Sequence, residues 1–338
     1  MSASVKDVAE AAGVSVGTVS NVLNRPERVA VATVARVQDA ISRLGFVRND
    51  AARQLRAGRS NSIGLVVLDA RNPFFADVAR GVEERAAEHG LTVLVANSDE
   101  KGDRERAHID LFEQQRVHGV LITPVAESLP RLQRLRERGM PTVLVDRESQ
   151  DGGFPSVAVD DVSGGRIAVE HLCAIGRRRI AFVGGPLSLR QVSDRLEGAQ
   201  RAVADRDDAT VEFIGTRALT VEAGRDAGHR ILERAPSARP HAVFAANDLL
   251  ALGLLQALVM TGDVRVPEDI ALIGYDDIDF AASAVIPLSS VRQPAALIGS
   301  TAVDLLMRIA DDSAAVNDHV VFQPELVVRA STGGLVAR

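Results

Sequence analysis

The sequence predicts a small all-α headpiece built on a helix-turn-helix, followed by a larger α/β core of two doubly wound parallel-sheet subdomains. Three observations carry that expectation. The first 45 residues hold three helix-length segments, each opened or closed by a Ser or Gly signal. From Ile63 onward, apolar runs of strand length alternate with amphipathic stretches of about 15 residues, as in parallel strands covered on both faces by helices. The runs are too many, with too much chain between them, for one compact sheet, so the core divides in two.

Within the headpiece, Ser4 followed by Asp7 fits a capping box and starts a helix that runs to about Ala12, where Gly13 ends it. Ser15 caps a second helix from Val16 to Asn24, stopped by the Arg25-Pro26 break. The tight Gly13-Val14-Ser15 turn joins the two into a helix-turn-helix. A third helix runs from about Ala32 to Leu44, with Gly45 after its end. Residues Asn49 to Ala57 form a short helical candidate, marginal in isolation and in need of a partner to fold. The core strands are expected at Ile63–Asp69, Leu91–Asn97, Gly119–Val125, Thr142–Asp146, Ile180–Gly185, Val211–Gly215, Ala242–Asn247 and Ile270–Tyr275, with one last strand-like run at Val320–Arg329. The loop from Arg147 to Pro155 sits near the middle and is expected between the two subdomains.

Composition narrows the function classes. The chain has 338 residues, 46% apolar and 25% charged, which fits a soluble globular protein rather than a disordered or fibrous one. The most apolar stretch, Ala242–Met260, is interrupted by Asn247, Asp248 and Gln256 and does not read as a membrane span. The N-terminus lacks the apolar region of a secretory signal, and Cys173 is the single cysteine. Both point to a cytoplasmic protein. Net charge is −6, yet the first 60 residues hold nine basic residues against five acids. A basic head on an acidic body suggests that the head meets a polyanion. The sign is weak on its own, because Lys6 and Lys101 are the only lysines and the Arg excess runs through the whole chain.

The run from Val5 to Asn24, VKDVAEAAGVSVGTVSNVLN, closely resembles the headpiece of the LacI/GalR family of bacterial transcription regulators, and the resemblance extends through the rest of the chain. Val8, Ala9, Ala12, Val14, Val19, Val22 and Leu23 are spaced to pack the helices together, which leaves Ser15, Thr18, Ser20 and Asn24 for phosphates or bases. The resemblance implies that the second helix enters the DNA major groove with Val16, Gly17 and Asn21 at base edges. Asn21 stands where an Arg is frequent, so readout leans on Asn21, apolar contacts and DNA shape. Ala30 replaces the usual Ser cap of the third helix, a loss of about 1 kcal/mol. Residues Asn49 to Arg56 resemble the family's hinge helix, implying that Ala52 and Leu55 enter the minor groove of the operator and wedge open a base step.

The core is similar to the family's periplasmic-binding-protein-like sensor at Asn72-Pro73-Phe74-Phe75, Asp146-Arg147, Asp160-Asp161, Asp194 to Gly198, Ala246-Asn247-Asp248, Gly274 to Asp277 and Gln293-Pro294. Asp69, Asp146, Asn247 and Asp276 fall at the C-terminal ends of expected strands, the edge where open α/β sheets bind ligands. Carboxylates, an amide and an Arg converging there suit a neutral polyol. By resemblance, Arg195, Asn247 and Asp276 are effector-binding residues of one subdomain. Phe74 and Asp146 face them from the other, Leu219 stands where some relatives place an aromatic ring, and Asp69 and Gln293 complete the set.

The expected division is 1–48 headpiece, 49–60 hinge and 61–338 effector core, with one subdomain of about 61–160 plus 293–320 and another of 161–292 plus 321–338. The implied function is an allosteric regulator, a repressor, that binds a near-palindromic operator as a homodimer under small-molecule control, without cofactor or metal. The tail from Ala330 to Arg338 carries no leucine heptad, and the apolar face of Asp77 to Ala87 is expected in the dimer interface. A transporter's solute-binding protein would share the core but has no need of residues 1 to 60. An enzyme would also use cleft carboxylates, but no dinucleotide fingerprint, Walker loop or zincin motif is present.

Overall fold

The computed structural model describes residues 3–46, 60–125, 129–149, 153–260, 262–311 and 318–333. The chain separates into two compact units, Met1–Ser60 and Asn61–Arg338. The hinge candidates Ala52 and Leu55 lie outside the described residues.

In the first unit, α1 (Val5–Ala12) opens with the expected capping box: Ser4 N–H donates to Asp7 Oδ2 at 2.7 Å, and Asp7 N–H donates to Ser4 Oγ at 3.4 Å. Gly13 ends it at φ 63°, a left-handed conformation that a side chain would resist. Ser15 caps α2 (Val16–Asn24), accepting from Thr18 N–H at 3.0 Å. After a short 3₁₀ turn at Pro26–Arg28, α3 (Val31–Leu44) starts at Ala30 without a side-chain cap and ends at Gly45. Val8, Ala9, Ala12, Val19 and Val22 lie in the buried centre, with Val14 and Leu23 packed against it, as their spacing predicts, and Val37 and Ala40 of α3 complete it.

The second unit opens with β1 (Ser62–Val67), α4 (Pro73–Glu88), β2 (Thr92–Asn97), α5 (Gly102–Gln114), β3 (Gly119–Ile122), α6 (Leu129–Glu137), β4 (Thr142–Val145) and β5 (Ser156–Val159). Then follow α7 (Asp161–Ala174), β6 (Arg179–Gly184), α8 (Arg190–Arg201), β7 (Thr210–Gly215), α9 (Val221–Leu232), β8 (Ala242–Ala245), α10 (Asp248–Met260), β9 (Ala271–Asp276), α11 (Asp279–Ser283) and β10 (Ser289–Arg292). The chain ends with α12 (Ala295–Asp311), β11 (His319–Phe322) and β12 (Glu325–Val327). One six-stranded sheet has the order β11-β5-β4-β3-β1-β2 and the other β12-β10-β9-β8-β6-β7. Every pairing is parallel except β12 against β10. The central strands β3, β4, β8 and β9 are buried throughout, which explains their unbroken apolar runs.

Three details differ from the sequence reading. The terminal run Val320–Arg329 is two strands in different sheets, separated at Gln323-Pro324, because a proline supplies no ladder donor. The crossing therefore lies beyond Phe322 rather than at residue 320. The loop after Arg147 joins β4 and β5, neighbours in the same sheet, and so does not run between the subdomains. Strands β5 and β10 carry too little signal to be recognised: the apolar run of β5 is only Val157-Ala158-Val159, between Ser156 and Asp160, and β10 reads Ser-Ser-Val-Arg. Among the described residues the chain passes between the sheets at Val159–Asp161, Arg292–Ala295 and Phe322–Glu325.

Helices α7 and α8 pack backbone to backbone. A Cβ at Gly165 would overlap the carbonyl of Arg195, and one at Gly198 would overlap the carbonyl of Val162, so only hydrogen fits at either position. Cys173, on α7, is buried in the core as a small apolar group, and burial pushes its thiol up. Among the described residues, no helix is long and apolar enough to cross a membrane.

Candidate functional site

In the first unit, the candidate DNA-facing residues lie on and around α2. Ser15, Val16, Gly17, Asn21 and Asn24 are exposed, and Thr18 and Ser20 are half-buried. The polar groups are less free than their spacing suggests. Ser15 Oγ and Thr18 Oγ1 bond each other at 2.9 Å while Ser15 also caps the helix, and Asn24 Nδ2 donates to Ser20 O at 2.8 Å. A hydroxyl that accepts a cap bond still has a proton and a lone pair to offer, so these bonds orient the groups without exhausting them. Val16, 42% exposed, is an apolar projection at the helix start.

In the second unit, a cleft lies where the C-terminal strand ends of both sheets meet. All eight residues expected there line it: Asp69, Phe74, Asp146, Arg195, Leu219, Asn247, Asp276 and Gln293. The strand order places them. Asp69 follows β1, Asp146 follows β4, Asn247 follows β8 and Asp276 ends β9, while Arg195 comes from α8 and Gln293 from the crossing after β10. Asp146 and Asp276 take positive φ, 55° and 100°, where a non-glycine residue is uncommon, and both are pinned by side chains from elsewhere. Gln191 Nε2 donates to Asp146 O at 2.7 Å and to Asp146 Oδ2 at 2.9 Å. Asn72 Nδ2 donates to Asp276 Oδ2 at 2.9 Å and Gln293 Nε2 to Asp276 Oδ1 at 2.8 Å. The Gln191 and Asn72 bonds each join one sheet's layer to the other's across the cleft.

Arg195 is the centre of charge. It is only 4% exposed; its Nε donates to Asp161 Oδ1 at 2.8 Å and its Nη1 to Ala246 O at 2.7 Å. Its guanidinium carbon lies 3.6 Å from the centre of the Tyr275 ring. Burial opposes the charge, but Asp161, Tyr275, Asp276 and Asp146 outweigh it and hold Arg195 protonated. Burial and the charge of Asp161 push the Asp146 carboxyl well above the usual carboxylate range, against the pull of Arg195 and Gln191. Burial also raises Asp276, opposed by Arg195, Asn72 and Gln293. Two buried acceptors in the cleft, Asp146 Oδ1 and Gln293 Oε1, have no hydrogen-bond partner.

The sequence reading did not assign several other members of this site. Asn72 caps α4, accepting from Phe74 N–H at 3.1 Å, and the Asn-Pro pair was a visible cap signal. Gln191 gave no signal, since a glutamine in a helix is ordinary. Glu100 also lines the cleft, from a turn in which Asp99 and Glu100 both take positive φ, and burial with the charges of Asp69 and Asp99 raises its carboxyl. Behind Asp276, Asp277, a half-buried residue whose side chain is shielded, binds Arg292 at 2.7 Å and Arg329 at 2.5 Å, which ties the loop to β10 and the C-terminal segment.

Comparison with known proteins settles the family. The family described as bacterial regulatory proteins, lacI family, matches residues 4–49, and the periplasmic binding proteins and sugar binding domain of the LacI family match residues 60–327. The chain belongs to the LacI family. The ribose operon repressor of Escherichia coli K12 is 33% identical over 332 residues, 97% of this chain and 99% of that protein. The HTH-type transcriptional regulator DegA of Bacillus subtilis is 32% identical over 340 residues, 99% of each. Among solved structures, the lac repressor dimer bound to operator and the anti-inducer ONPF matches with a TM-score of 0.85 and 27% identity, covering 98% of this chain and 99% of that one. A LacI family regulator from Enterococcus faecium with bound ribose matches with a TM-score of 0.73 and 26% identity, covering 81% of this chain and all of that one. This LacI family member is a DNA-binding transcription regulator with a small-molecule effector core, and not an enzyme.

Proposed function

We propose that the chain is a cytoplasmic repressor that binds a near-palindromic operator as a homodimer and responds to a small neutral sugar held in the cleft of its second unit. The observation that carries the sugar reading is the pair of buried, unpartnered acceptors, Asp146 Oδ1 and Gln293 Oε1, beside the Arg195 guanidinium. A sugar hydroxyl donates to one group while accepting from another, so adjacent hydroxyls satisfy both kinds of site at once. Asp69, Glu100, Asp146 and Asp276 set four carboxyl groups against one guanidinium in the cleft wall, an environment that disfavours a phosphate or carboxylate ligand. The E. coli ribose operon repressor and the ribose-bound relative make a pentose the first ligand to try.

On the DNA side, residues 1–48 act as the headpiece, with Ser15, Val16, Gly17, Thr18, Ser20, Asn21 and Asn24 facing the major groove. Residues 49–60 act as the hinge, with Ala52 and Leu55 in the minor groove, and 61–338 as the effector core. Coupling between two such sites amounts to about 1–3 kcal/mol. A thermal-shift panel of D-ribose, D-xylose, D-glucose and D-galactose with their phosphate esters, followed by operator binding with and without the hit, tests this reading. Stabilisation by a neutral sugar and not by its phosphate ester is the expected result. Preference for the ester would overturn the charge argument.

A further inference from the structure

We propose that Asp161 and Tyr275 are positioning residues of the effector site, which fix the Arg195 guanidinium along one edge and one face so that its remaining donors are presented to the cleft. The inference rests on the reading that Arg195 contacts the effector. Four elements converge on this side chain. Asp161, the first residue of α7, accepts from Nε at 2.8 Å; Ala246, after β8, accepts from Nη1 at 2.7 Å; Tyr275, within β9, sets its ring centre 3.6 Å from the guanidinium carbon; and α8 carries the arginine itself. Among the described residues no acceptor takes Nη2, and Asp276 Oδ1 stands 3.8 Å from Nη1, beyond hydrogen-bond reach. An arginine's donors lie in one rigid plane, so holding one edge and one face determines where the rest point.

An acid in the first turn of a helix has an ordinary explanation as part of its cap. Here that role is taken by Asp160, whose carboxylate accepts from Ser163 N–H at 2.8 Å and Ser163 Oγ at 2.7 Å. Asp161 is left over and is aimed at Arg195. Tyr275 is fully buried, and Gly164 makes room for it: a Cβ at Gly164 would collide with the tyrosine hydroxyl. The neighbouring Gly165 lets α7 come against the carbonyl of Arg195 itself. The two adjacent glycines therefore seat the ring and the arginine's backbone against the same turn of α7. Because α7 begins directly after the Val159–Asp161 crossing, the ion pair also ties the effector-facing cation to a segment that links the two sheets.

The test uses the full chain, in which Tyr275 is the sole tyrosine and no tryptophan is present, so near-ultraviolet emission reports on the ring under Arg195. Binding of D-ribose is measured by calorimetry for the wild type, Asp161→Asn, Arg195→Lys and the double variant, and emission is recorded for each without ligand. Asp161→Asn is expected to weaken D-ribose by about tenfold or more. The double variant is expected to bind no more weakly than Arg195→Lys, because the effect of Asp161 runs through Arg195. Tyr275→Phe, which keeps the ring, should bind close to wild type, whereas Tyr275→Leu should lose as much as Asp161→Asn. Unchanged binding in Asp161→Asn, or losses that add in the double variant, would overturn the positioning role. If the wild type binds no D-ribose, the pentose reading fails and emission decides the positioning: Asp161→Asn must alter it, and must have no further effect on an Arg195→Lys background. Emission that does not respond to Asp161→Asn refutes it.

Discussion

Replacing Asp146 by Asn separates the two demands on this residue, because it should stabilise the empty protein and weaken the effector. Asn fits the backbone, since it tolerates the positive φ of 55° at this position at least as well as Asp. Its Oδ1 can take the place of Asp146 Oδ2 and accept from Gln191 Nε2, now at 2.9 Å. The amide nitrogen then occupies the site of the unpartnered Oδ1, presenting a donor where the effector hydroxyl meets an acceptor. A hydrogen bond to a charged group contributes about 1.5–3 kcal/mol, so affinity should fall about 10- to 150-fold. Stability moves the other way. Burial and Asp161 raise the carboxyl in the folded state, so Asp146 favours folding in acid, where it is protonated, and that contribution is lost as pH rises through its raised value. The substituted amide does not titrate. The melting-temperature gain of Asp146→Asn over wild type should therefore be least near pH 4 and grow toward neutrality. In the wild type, D-ribose binding should strengthen as pH rises through the raised value of this carboxyl and the acceptor ionises, and in the variant it should stay flat. Calorimetry and thermal melts across that range provide the assay. Unchanged affinity, or a variant less stable than wild type at neutral pH, would refute the assignment of Oδ1 as an effector acceptor.

Three further outcomes are expected. Ala30→Ser should supply the missing cap of α3 and stabilise the headpiece by about 1 kcal/mol, read from the headpiece transition in thermal or denaturant melts of the full chain; no gain would show that the start of α3 is satisfied otherwise. Gly165→Ala should force α8 away from α7 and cost about 3 kcal/mol, a fall of roughly 6–12 °C in the core melting temperature, with weaker sugar binding because Arg195 moves with α8. Leu55→Ala should weaken binding to a specific operator far more than to nonspecific DNA in salt-matched titrations, since a wedge acts only where the duplex is kinked; equal losses on both would remove the hinge assignment.

Much of the architecture could be read from local chemistry. The Ser4-Asp7 box, the Ser15 cap and the left-handed Gly13 and Gly45 act within one helical turn, so their sequence signals and their geometry coincide. The apolar runs of β1, β3, β4, β6, β8 and β9 mark themselves because parallel strands covered on both faces leave no place for polar residues. The short β5 and the serine-rich β10 escaped notice because their pairing is decided by neighbours on the sheet rather than by their own pattern. Pro324, inside the last apolar run, is by contrast a local signal for the division of that run into β11 and β12.

The candidate site divides in the same way. The sequence alone determined which residues stand at strand ends, and so placed Asp69, Asp146, Asn247 and Asp276 at C-terminal sheet edges, because strand direction in a parallel sheet fixes where every C-terminus emerges. Tertiary structure alone decided which side chains hold them. Gln191 is 45 residues from Asp146, Asn72 is 204 from Asp276, and Asp161 is 34 from Arg195. Such pairs leave no periodicity in the chain, because a hydrogen bond depends on separation in space, and that separation is set by tertiary packing alone: of one sheet's layer against the other's for Gln191–Asp146 and Asn72–Asp276, and of α7 against α8 for Asp161–Arg195.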